Sequence, residues 1–206
     1  MKKLIVMAVM AAMGLQAQAQ IVSSRSSMIT REVVDRGGWS TLGVEYLPST
    51  FDMDGTSESY TGLALNFTNA ISLTQSIPLF VEWGIGGQYS FYDKKKTDIK
   101  IASAKVPINF IYDFLIPNTN IHLDPFVGVK FRFNIWGEGK YGDGKSQNLF
   151  NSDGPDWNRF QVGMQFGLKA RFIDKFFVGF GYGFDFSEIA KKTKIQEIKI
   201  MAGLVF

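Results

Sequence analysis

The chain has 206 residues, 46% apolar and 15% aromatic, with a formal net charge of +3, and this length accommodates one domain with a sizeable core. With no cysteine the chain has no disulfides, no thiolate nucleophile and no acylated N-terminal cysteine, while 19 Phe and 21 Gly against 6 Pro favour sheet with close backbone approaches. The small lysine excess reads as surface charge and calls for no nucleic-acid partner.

Residues 1–20, "MKKLIVMAVMAAMGLQAQAQ", open with Lys2 and Lys3, run apolar from Leu4 to Leu15, and end in Ala17, Gln18 and Ala19, the A-x-A pattern of a cleavage site. A secretory signal peptide is predicted over 1–19, so that the mature chain begins at Gln20 with a polar periplasmic lead over 20–38. No later segment approaches the roughly 20 apolar residues of a membrane-spanning helix.

From residue 39 the sequence alternates with period two, and strands are predicted at 39–47, 61–72, 79–91, 99–113, 126–135, 159–172, 176–186 and 195–206. In 126–135, "FVGVKFRFNI", Val127, Val129, Phe131, Phe133 and Ile135 alternate with Gly128, Lys130, Arg132 and Asn134. In 176–186, "FFVGFGYGFDF", aromatic and aliphatic residues occupy every second position and glycine or aspartate most of the others. Between strands, turns at 73–77, 114–122 and 173–175 alternate with polar connections at 48–60, 92–98, 136–158 and 188–194. Short turns on one side and longer loops on the other are the pattern of an outer-membrane barrel.

The two faces sort accordingly. One is rich in Phe, as a lipid-bathed surface requires, and the other carries Glu45, Glu82, Lys105, Lys130, Arg132, Lys169, Arg171, Asp185, Glu197 and Lys199. Their opposite signs predict ion pairs that fill the lumen, with Gly84, Gly128, Gly167, Gly179, Gly181 and Gly183 making room for long neighbours. The predicted fold is therefore all-β, an eight-stranded antiparallel up-and-down transmembrane β-barrel over 39–206, plugged rather than open. The chain ends in "IKIMAGLVF", with Ile198, Ile200, Ala202, Leu204 and Phe206 on one face. This predicts an assembly signal at Phe206, read by the barrel-assembly machinery.

The segments "IPLFVEWGIGGQYSF", "AKVPINFIYDF", "LDPFVGVKFRFNI", "KFFVGFGYGFDF" and the terminal "GLVF" resemble those of small outer-membrane barrels, the PorT-like group and, more distantly, the OmpX and OmpA barrel types. The resemblance covers about 39–206 and implies an eight-stranded barrel in the outer membrane of a Gram-negative bacterium, with outer-membrane lipid as its surroundings. PorT itself is linked to a secretion system, a role that these fold-level motifs do not carry over.

No catalytic residue, cofactor or metal is predicted. The one histidine, His122, falls in the predicted periplasmic turn "NTNIHLD", the wrong end of the barrel for lipid-ester chemistry in the outer leaflet. Residues 143–156 lack EF-hand spacing and read as turn formers. Gly179, Gly181 and Gly183 imitate part of a nucleotide-binding fingerprint, but no helix follows them. Lys94, Lys95 and Lys96 read as a solvated outer loop. The expected function is that of a non-enzymatic envelope barrel whose outer loops meet a surface ligand or a partner, with Trp136, Tyr141, Phe150 and Trp157 as candidate contacts. A PorT-like secretion accessory, a small pore and a lipid-modifying enzyme are the alternatives.

Overall fold

A computed structural model describes residues 37–53, 56–94, 97–142, 144, 146–151 and 157–206. The predicted signal peptide and all but the last two residues of the lead lie outside them. Lys95 and Lys96 do too, as does much of the predicted turn segment 143–156. The described elements are all strands: β1 Trp39–Met53, β2 Thr56–Ser72, β3 Leu79–Lys94, β4 Thr97–Tyr112, β5 Phe114–Leu115, β6 Ile121–Tyr141, β7 Gln147–Asn148, β8 Phe160–Phe172, β9 Phe176–Asp185 and β10 Thr193–Val205. The eight long strands pair antiparallel with their chain neighbours. β1 pairs with β10, β4 with β6, and β6 with β8, so the sheet closes on itself and leaves no long edge. The two-residue strands β5 and β7 add short pairings to the ends of β6.

Alternation along each strand sorts side chains to the two faces. Ile85 and Phe180 point outward, 62% and 59% exposed, whereas Glu82 and Lys130 point into the lumen, 1% and 2% exposed. This inverts the rule for soluble proteins, and it holds where a hydrocarbon phase surrounds the barrel.

The strands at the outer end run further than the sequence predicts. The connection expected at 48–60 contracts to the two residues between β1 and β2, and the one expected at 92–98 to two residues between β3 and β4. Strand β6 continues six residues past the predicted end at 135 and begins five before the predicted start at 126. The physical reason lies in what surrounds each face. Beyond the apolar band the outer face carries Thr50, Ser57, Ser59, Lys100 and Lys194, whereas Phe51, Tyr60, Ile99, Ile101 and Ile195 are buried inside. The period of two persists while its sign reverses, so a search for apolar residues on the outer face ends too early.

A register shift between Ala102 and Ser103, opposite β6, lets both Ile135 and Trp136 face outward. It is a β-bulge, and it returns Gly137 and Gly139 to the inner side. At the opposite end, Ile173 and Asp174 both have positive φ, 54° and 49°, in the tight turn that joins β8 to β9.

Candidate functional site

The lumen is built in layers. At the end that carries the start of β1, the end of β10 and the short turns, Phe80, Ile111, Phe126, Phe177, Met201 and Val205 form a buried apolar cluster with Ala70, and Trp39 packs against it. The Trp39 ring lies 4.5 Å from that of Phe80 and is covered by the Arg171 guanidinium at 3.7 Å. At the outer end a second cluster joins Phe51, Tyr60, Ile99, Ile101, Ile195, Leu149, Phe150 and Ile189, with Trp157 against it. The last four come from connections rather than long strands, so these segments fold inward and roof the barrel. Phe51 stacks on Tyr60 at 4.2 Å, and Arg159 covers Phe150 at 5.2 Å. Backbone bonds hold the roof down, with Leu149 N–H donating to Gly137 C=O at 3.0 Å and Asn158 N–H to Ile189 C=O at 2.7 Å. Gly137 is required beneath it, because a Cβ there would meet the Phe150 ring at 2.3 Å.

Between these layers the ion pairs of β1, β3, β4, β6, β8, β9 and β10 converge. Glu197 accepts from Lys130 at 2.6 Å and from Arg132, which also donates to Asp185 at 3.0 Å. Asp185 Oδ1 lies 2.9 Å from Lys130 Nζ, close enough to attract it but outside hydrogen-bond geometry. Lys105 donates to Glu45 at 2.6 Å, and Lys169 to Glu82 at 2.5 Å. Glu82 also accepts from Thr68 at 3.0 Å and Asn109 at 2.8 Å, so its carboxylate is held from three further strands. Lys199 donates to the Gln165 side-chain carbonyl. Space on the inner face is set by glycine: a Cβ at Gly163 would come within 2.4 Å of the Phe184 carbonyl and 2.9 Å of Lys130 Cε.

All ten charged residues named from the sequence as lumenal therefore lie on the inner face, nine of them buried and Glu45 nearly so. The lumenal residues named from the sequence do not include Asp124 or Asn109. Asp124 accepts from Arg171 Nε at 2.5 Å, and its signal was present, since it shares the parity of Lys130 and Arg132. His122, expected in a turn, belongs to β6, where its Nδ1 lies 2.6 Å from Asp113 Oδ1 at the end that carries the short turns. That end also holds Arg171 against Asp113 at 3.2 Å. Of the four aromatics expected at the outer surface, Trp136 is exposed on the barrel wall and Tyr141 ends β6. Phe150 is instead buried and Trp157 is partly buried against the same roof, because the connection bends inward over the apolar cluster of Phe51, Tyr60 and Ile101. Among the described residues no group of three or more His, Asp or Glu side chains is arranged to hold a metal ion.

Four groups share one network around Glu197, so removing its charge leaves Lys130 and Arg132 short of a partner in a site that bulk water does not reach. Glu197→Gln is expected to lower the folding stability in lipid vesicles by about 3 to 5 kcal/mol. Adding Lys130→Met restores part of the loss, and urea titration of both variants measures it. Equal stability of Glu197→Gln and the parent would mean that the network does not hold this region.

Comparison with known proteins places this geometry. Ail of Yersinia pestis, solved in complex with the heparin analogue sucrose octasulfate, superposes with a TM-score of 0.52 at 15% identity, covering 82% of this chain and 99% of that one. Neisserial surface protein A superposes with a TM-score of 0.53 at 14% identity, covering 82% and 97%. Identities this low carry the fold alone. No curated protein sequence gives a significant match. Residues 51–191 match the family described as the outer membrane protein beta-barrel domain. The closed ring of strands, its apolar outer wall and this match agree, and the chain belongs to that family of the Gram-negative outer membrane.

Proposed function

We propose that this protein is a non-enzymatic, non-conducting envelope barrel, whose membrane span serves to hold an outer surface in place. The carrying observation is the layered lumen, in which buried ion pairs are roofed by Leu149, Phe150 and Ile189 and floored by Phe80, Phe126 and Phe177. An eight-stranded barrel leaves little more than side-chain width inside, and here that width is occupied. The non-enzymatic reading is supported by His122, which is engaged by Asp113 near the turns and not at the outer rim. The remaining working surface is the outer end of the strands, with Trp136 on its wall, and it meets lipid headgroups or a surface partner. Purified protein in planar bilayers is expected to give no steady single-channel current. Large, stable conductance would overturn the reading in favour of a pore.

Phe206 is proposed as the assembly signal recognised by the barrel-assembly machinery. It is 65% exposed on the lipid-facing side, near Phe67 with ring centroids 6.2 Å apart. Its backbone N–H and C=O both bond Ser40, at 3.0 and 2.8 Å, at the seam where β10 meets β1. A side chain this exposed contributes less than the roughly 1.5 to 3 kcal/mol of full burial. Deleting Phe206 is therefore expected to lower membrane levels in cells while the purified barrel still refolds in detergent. Unchanged cellular levels would remove the signal role.

A further inference from the structure

The ion pairs do not use every lumenal cation. Between the two apolar layers, Lys105, Lys130, Arg132, Lys169 and Lys199 face Glu45, Glu82, Asp185 and Glu197. Lys105 is taken by Glu45, Lys169 by Glu82, and Lys130 and Arg132 by Asp185 and Glu197. Lys199, 3% exposed, forms no ion pair among the described residues and donates to the neutral amide of Gln165. The carboxylates that act on it, Glu45 and Glu197, are already engaged by Lys105 and by Lys130 and Arg132, so five cations face four carboxylates and one buried positive charge is left over, which costs several kcal/mol.

Beside it lies a lumenal cavity of about 40 Å³, lined by Lys199, Lys105, Lys169, Asn66, Glu45 and Glu82 among others. Space of that size holds about three water-sized occupants. The buried Asn66 Oδ1 has no hydrogen-bond partner among the described residues, so the cavity wall carries polar capacity that the protein itself does not use. Four ammonium groups, those of Lys105, Lys130, Lys169 and Lys199, outnumber the two carboxylates of the same lining, Glu45 and Glu82, and an excess of ammonium donors suits an anion. Its size excludes anything bulky.

We propose that this cavity is a binding site for a small monovalent anion of halide size, which shares the space with water and supplies the counter-charge to Lys199. Asn66 completes the shell through water or by turning its amide N–H₂ to the ion. The two apolar layers close the lumen above and below, so the ion enters during folding or through rare openings and exchanges slowly.

Bromide is the probe. Crystals of the refolded barrel grown in bromide are expected to show an anomalous peak in the cavity, at hydrogen-bonding distance from Lys199 Nζ, and Lys199→Met is expected to lose it. In lipid vesicles at constant ionic strength, the unfolding equilibrium constant is expected to be about tenfold lower in chloride than in gluconate, the value for an ion at about ten times its dissociation constant. Lys191→Met, at an exposed loop lysine, keeps this halide dependence, and Lys199→Met abolishes it. A cavity that holds only water in bromide crystals would overturn the proposal. So would equal stability in the two salts, or a halide effect that persists unchanged in Lys199→Met.

Discussion

Closing eight strands into a ring forces every charged residue on the inner face to find its partner inside. Bulk water does not reach Glu82, Lys130 or Glu197, and the surrounding lipid offers no compensation, so each carboxylate must meet a cation across the barrel. The rest of the structure follows from this demand. Residues far apart in sequence converge, such as Arg132 on β6 with Asp185 on β9 and Glu197 on β10. Glycines stand where the long side chains cross, as Gly163 does beside Lys130. The apolar clusters at either end keep water from competing for the pairs, which strengthens each interaction and raises the cost of leaving any group alone.

The ends of the barrel solve different problems. At the floor, the aromatic rings of Phe126 and Phe177 lie 5.5 and 5.7 Å below Lys169 Nζ, so the apolar layer also contributes to the electrostatics of the layer above. At the roof, Leu149, Phe150 and Ile189 are delivered by connections, and they stay inward because backbone bonds to Gly137, Trp157 and Thr193 satisfy the chain there. An apolar mouth beneath polar strand ends has no other way to avoid water.

Strand number, order and face were legible in the sequence because the lipid imposes one uniform requirement on every second residue, from Leu42 to Leu204. The same requirement fails as a guide above the membrane. There Thr50 and Ser59 face water while Phe51 and Tyr60 turn inward, so strand residues within 48–60 carry the pattern of a polar connection. The lumenal cations and acids could be named from parity, but which pairs with which depends on register across the ring. Asp124 was missed because it precedes Pro125 at a predicted strand start, although it lies two residues from Phe126 on the same inner face. The inward direction of Phe150 had no local signal at all, since an aromatic in a Gly- and Asn-rich connection looks the same whether it meets a partner or its own barrel.

Leu149, Phe150 and Ile189 roof the lumen at its outer end. Because the chain has no cysteine, a single Ser103→Cys reports on this directly. Ser103 is buried just beneath Ile101 of the roof and bonds Asn134 at 2.7 Å, and Ser59→Cys on the water-facing wall serves as the exposed reference. With a small, membrane-impermeant thiol reagent applied to the folded barrel in vesicles, the account predicts prompt labelling at residue 59 and none at 103 until the protein is unfolded. Labelling of residue 103 in the folded barrel at the rate of residue 59 would contradict it.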